Sequence, residues 1–77
     1  KNMEKLLAIL EDMKPGVDFK KEKKLIEDGI LDSFDIVEII AAIDDEFDVE
    51  IPVMEVQPEV FNDVEKLYAL IERLMEE

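Results

Sequence analysis

The residues Asp32-Ser33-Phe34-Asp35 set a serine hydroxyl at the mouth of a predicted helix. Asp32 is a good N-cap, and Asp35, three residues on, takes the place of the acidic partner in a capping box. Gly29 supplies the unusual backbone angles that let the chain turn into such a start. Ser33 then lies in the first turn, where unpaired amides and the positive end of the helix dipole favour a negative group. The chemistry this suits is esterification, because a phosphoester carried on Ser33 would find an electrostatic seat. Ser33 has no obvious base beside it, and the chain contains neither histidine nor cysteine. Any machinery that makes such an ester must therefore come from another protein. Serines in first helical turns commonly do no more than cap or face water, so the neighbourhood has to decide.

The helix that Ser33 opens is predicted over roughly Ser33–Phe47. Ile36, Ile39, Ile40, Ile43 and Phe47 recur at spacings of three and four and form its buried side. Asp35, Glu38, Ala42, Asp45 and Glu46 cluster on another side. Between the two runs a second apolar strip, Phe34, Val37 and Ala41. A helix with one buried face would more often make that strip polar. Bordered by carboxylates and starting beside Ser33, it reads as a docking surface rather than as packing of Phe34 and Val37 against the long loop or the third, short helix.

Other elements must hold this helix in place. A first helix is expected over about residues 2–13, with Met3, Leu6, Leu7, Leu10 and Met13 on one face and Asn2 as cap. Lys14-Pro15-Gly16 stops it. Residues 14–31 then form a connection long enough to need a functional or packing reason. Val17, Phe19, Leu25, Ile26, Ile30 and Leu31 are its candidate anchors, with a short helical turn near Lys21–Glu27. Lys20, Lys21, Lys23 and Lys24 read as a solvated stretch balancing nearby acids, since Glu22 and Glu27 interrupt them.

Ile51-Pro52 predicts an extended link, followed by a short helix near Val53–Gln57 broken by Pro58. The last helix starts at Asn62 as N-cap with Glu65 three residues on. Val64, Leu67, Tyr68, Ile71, Leu74 and Met75 make its stripe. Three longer helices, one short one and a long first loop imply an all-α four-helix bundle, with residues 1–77 as a single domain.

Charge narrows the partners. The formal net charge is -13, with 9 basic and 22 acidic residues. Residues 1–26 carry a net of +2, whereas residues 27–77 carry 2 basic and 17 acidic groups. Such a surface repels nucleic acid and anionic lipid and steers the chain towards basic patches on proteins. No apolar run approaches the length of a membrane span, and no signal-peptide core is present. A cytoplasmic, monomeric protein without catalytic activity of its own is expected. Asp44, Glu46, Asp48 and Glu55 match four positions of a calcium loop, but Val49 stands where that loop needs glycine and Pro52 follows. No metal site is expected.

The run from Leu25 to Ile40 closely resembles the prosthetic-group attachment region of acyl carrier proteins, in which an Asp-Ser pair followed by a large apolar residue opens the second helix. Glu46-Phe47-Asp48-Val49-Glu50-Ile51-Pro52 continues the likeness. The resemblance implies 4′-phosphopantetheine, taken from coenzyme A by a phosphopantetheinyl transferase and esterified to Ser33. The arm would carry acyl or aminoacyl groups as thioesters to loading and transferring enzymes. It also implies that Asp32, Phe34, Asp35, Val37, Glu38, Ala41, Asp45 and Glu46 meet basic docking patches on those enzymes. Phe34 stands where leucine is commoner in the family.

The stretch from Ile51 to Asn62 also resembles D-alanyl carrier proteins of teichoic acid alanylation, although Phe61 and Val64 replace their usual tryptophan and proline. An acidic helical adaptor that binds one partner noncovalently through Phe34, Val37 and Ala41 is the reading from a different class.

Overall fold

A computed structural model describes residues 2–77. The first helix, α1, runs Asn2–Met13 and buries Leu6 and Leu10, the centre of the predicted apolar face. Asn2 is already helical, so it is not the cap. The chain leaves α1 at Lys14, whose amide still bonds the Leu10 carbonyl at 2.9 Å. Gly16 then turns it with φ of +90°, a region a side chain would strain.

Residues 14–32 hold no helix, but the segment is tightly built. Phe19, Leu25 and Leu31 are buried, and Val17, Ile26 and Ile30 pack against the core from half-buried positions. The helical turn expected near Lys21–Glu27 is two separate turns. One closes from the Glu22 amide to Asp18 at 3.0 Å, the other from the Asp28 amide to Lys24 at 2.8 Å. Gly29 follows at φ +74° and redirects the chain towards Asp32.

The second helix, α2, spans Ser33–Phe47 and buries Ile39, Ile43 and Phe47. Ile36 and Ile40 flank them half-buried. Its end is set by Asp48, which takes the left-handed conformation at φ 57° and ψ 43° while its amide bonds the Asp44 carbonyl. Glycine usually fills that position, and aspartate is among the few other residues that tolerate it. Val49 and Ile51 then return to the core.

Several details after Pro52 differ from the sequence-based expectation. The short helix near Val53–Gln57 is a single 3-10 turn, Val53–Glu55. Pro58 does not break a helix but begins one, α3, Pro58–Phe61. Proline suits that first position, because its missing N–H would have no partner there and its φ is already helical. The last helix, α4, runs Val64–Met75 with Asp63, not Asn62, as N-cap, its carboxylate accepting the Glu65 amide at 2.9 Å. Asn62 is drawn instead into the interior, where it meets the long loop. Leu70 joins Val64, Leu67 and Ile71 on the buried side, whereas Met75 is exposed.

Among the described residues there is no strand. Helix α1 packs on α2 and α4, and α3 packs on α4. The architecture is the expected all-α bundle of four helices. Its core draws on every helix, the long loop and the link between α2 and the 3-10 turn. This matters for function because α2 is fixed along its whole inner face. Its N-terminus is left facing solvent.

Candidate functional site

The start of α2 has the predicted capping geometry. Asp32 is extended (φ -114°, ψ -176°), and its Oδ1 accepts the Asp35 amide at 2.9 Å. In return, Asp35 Oδ2 accepts the Asp32 amide at 2.9 Å, which completes the box. Lys14 Nζ lies 3.4 Å from the same Asp35 oxygen and ties the end of α1 to the start of α2. Asp35 is therefore a structural joint, with only 13% of its side chain exposed.

Asp32's carboxyl is held below the usual value of 3.8, chiefly by the Asp35 backbone amide, with desolvation opposing the shift. The Asp35 side chain, the Phe34 amide and Lys14 add to the lowering. A carboxyl lowered on folding contributes stability above its unfolded pKa and loses it as pH falls through the folded value. The stability difference between wild type and Asp32→Ala should thus be constant near neutral pH and shrink below 3.8. Urea unfolding at a series of pH values measures it.

Ser33 is the first residue of α2 and is exposed. It is also the chain's sole serine, and there is no threonine. Tyr68 bears the only other side-chain hydroxyl, half-buried, with its pKa pushed up by desolvation and then by the Glu72 carboxylate. The uniqueness of Ser33 was visible in the sequence and is a stronger signal than the Asp-Ser pair. The helix-dipole seat is partly filled, however. Asp32 already takes the Asp35 amide.

The remaining docking candidates fall on the outer side of α2. Phe34 is 81% exposed and Val37 66%, and Ala41 is exposed too. The alternative, that Phe34 and Val37 pack against the long loop or the short third helix, does not hold. Glu38 and Asp45 are exposed beside the strip. Glu46 is exposed as well, but Lys5 Nζ lies 3.7 Å from its carboxylate. Two residues escaped sequence reasoning: Val53 and Met54, 90% and 77% exposed on the 3-10 turn. The signal was there, since two large apolar residues directly follow Ile51-Pro52 with no helical stripe to bury them.

Comparison with known proteins now fits this geometry. A family model described as "Phosphopantetheine attachment site" matches residues 4–71. The chain belongs to that family, the class of proteins that bear a covalent 4′-phosphopantetheine group. More particularly, it is similar to proteins named acyl carrier protein. That of Campylobacter curvus is 43% identical over 53 residues, covering 62% of this chain and 69% of the relative. That of Campylobacter lari is 44% identical over 55 residues, covering 60% and 71%. That of Campylobacter jejuni is 54% identical over 33 residues, 43% of each. The D-alanyl carrier alternative is not favoured by these matches. No solved structure gives a significant match.

Proposed function

We propose that residues 1–77 form a single carrier domain, an acyl carrier whose 4′-phosphopantetheine is esterified to Ser33. The observation that supports it most is the chain's only aliphatic hydroxyl standing exposed as the first residue of a rigidly capped helix. When attached, the group supplies a long arm ending in a thiol that holds an acyl cargo as a thioester. What the chain itself contributes is tethering and presentation. A covalently held cargo works at high effective concentration at each enzyme the domain meets.

The domain is non-catalytic in this reading. Its partners are a phosphopantetheinyl transferase and cargo-loading or cargo-transferring enzymes with basic patches. It works as a monomer in the cytoplasm; no helix among the described residues is long and apolar enough to cross a membrane. Phe34, Val37 and Ala41 provide apolar contact, and Glu38, Asp45 and Glu46 provide the acidic border. Asp32 and Asp35 act at the same surface chiefly by fixing the helix start. Charge steering of this kind gives fast, salt-sensitive and transient encounters, which suits a cargo that must move on.

Incubation with coenzyme A, magnesium and a promiscuous transferase tests the reading through the rate at which the chain gains one phosphopantetheine. Glu38→Lys, on the docking side, should slow that gain about tenfold at low salt, with the difference from wild type shrinking as salt rises. Glu76→Lys, just beyond α4, makes the same charge change and should leave the rate near that of wild type. Equal rates for the two variants would remove α2 as the docking element.

A further inference from the structure

Among the described residues, Asn62 is the only buried polar side chain, 7% exposed. It reaches from the end of α3 into the long loop. Its Oδ1 accepts the amides of Ile26 at 2.8 Å and Glu27 at 3.1 Å. Its Nδ2 donates to Glu27 Oε2 at 3.2 Å, and its backbone carbonyl accepts the Leu25 amide at 3.0 Å.

Those three amides open the turn that the Asp28 amide closes onto the Lys24 carbonyl. They are the N–H groups that the start of a helical turn leaves without partners. Capping groups normally come from the residue just before the turn. Here the cap is supplied 36 positions away in the chain. The capped turn passes directly to the site. Gly29's amide bonds the Ile26 carbonyl at 3.1 Å, Leu31's amide bonds the Leu25 carbonyl at 2.9 Å, and Leu25 and Leu31 are buried. Asp32 and Ser33 follow without an intervening residue.

We propose that Asn62 is a positioning residue for the modification of Ser33: from the α3–α4 junction it caps the Lys24–Asp28 turn and so holds the segment that delivers the serine. The proposal rests on Ser33 being the attachment residue. A buried carboxamide with every polar atom paired cannot be exchanged for an apolar side chain without leaving the Ile26 and Glu27 amides short of a partner. A loosened turn leaves Ser33 on a mobile approach, which an incoming transferase must reorder on binding. That ordering cost enters binding of the enzyme to the carrier and leaves the chemical step alone.

The test pairs amide hydrogen exchange with transferase kinetics on the full chain. In Asn62→Ala, exchange at Ile26, Glu27 and Leu31 should quicken about tenfold or more while α1 and α4 amides keep their protection. The KM for the carrier should rise about tenfold with kcat little changed. Loss of folded protein alone would strip protection from α1 and α4 together, which separates the two effects. If Asn62→Ala does not fold, Glu27→Ala decides, because it removes only the Nδ2 partner from an exposed position. It should raise the same exchange rates and KM about threefold, while Glu27→Gln, which keeps an acceptor for Nδ2, restores wild-type values. If wild type is modified and the folded variants match its exchange and KM, the positioning role is overturned and the reading of Ser33 stands. If wild type is never modified, the reading of Ser33 fails and takes the positioning role with it.

Discussion

Ser33→Ala should abolish attachment of the phosphopantetheine arm altogether, while leaving the fold in place. Both halves follow from where the residue sits. Its side chain is exposed and takes no part in the core, and the cap of α2 is made by Asp32 and Asp35. Alanine is also a good residue inside a helix. Helical content and thermal midpoint should therefore match wild type within experimental error. The chemistry has nowhere else to go, because no other serine and no threonine exists in the chain. Tyr68 is no substitute: it lies within α4, half-buried, with a phenol harder to ionise than usual. Intact mass after the transferase reaction reads the result. A variant that still gains one arm would place the attachment elsewhere.

Phe19→Ala should be as damaging as truncation in the middle of a helix, although Phe19 belongs to no helix. Its side chain is 2% exposed within the same core cluster as Leu6, Ile39 and Ile71. Emptying a buried phenylalanine site costs about 3–5 kcal/mol. A domain of 77 residues has a total stability of about 4–12 kcal/mol, so the variant should be largely destabilised and in part unfolded near body temperature. Urea unfolding measures the loss. A cost under about 1 kcal/mol would mean that the loop is laid over the bundle rather than built into it. The consequence for function is indirect but large, since the same loop leads to Ser33.

Much of this fold was legible because local signals were unambiguous. The spacing of Leu6 and Leu10 in α1, and of Ile39, Ile43 and Phe47 in α2, left one side to bury, and both helices have the predicted bounds. The capping box at Asp32 and Asp35 was readable for the same reason: its partners are three residues apart. The errors cluster where a distant contact overrides a local preference. Asn62 has the right chemistry for an N-cap, but the amides of Ile26 and Glu27 claim its carboxamide. Asp63, one residue later, takes over the capping of α4. Pro58 looks like a breaker until Gln57 ends the preceding link and leaves proline at a helix start.

The site shows the same division. Ser33 and the outward strip of Phe34 and Val37 follow from position on one helix. The engagement of Asp35 with Lys14 and of Glu46 with Lys5 does not, because Lys5 lies on α1 and Lys14 just beyond its end. Of the acidic docking candidates, Glu38 and Asp45 emerge as exposed carboxylates that make no ion pair or cap among the described residues. They are where charge reversal should matter most.

Fragment mass spectrometry of the wild-type chain after reaction with coenzyme A, magnesium and a transferase tests the central claim most directly. A single phosphopantetheine should be found, on the fragment that contains Ser33 and on no other. A chain whose mass stays unchanged with several transferases, or an arm mapped to any residue but Ser33, would contradict it.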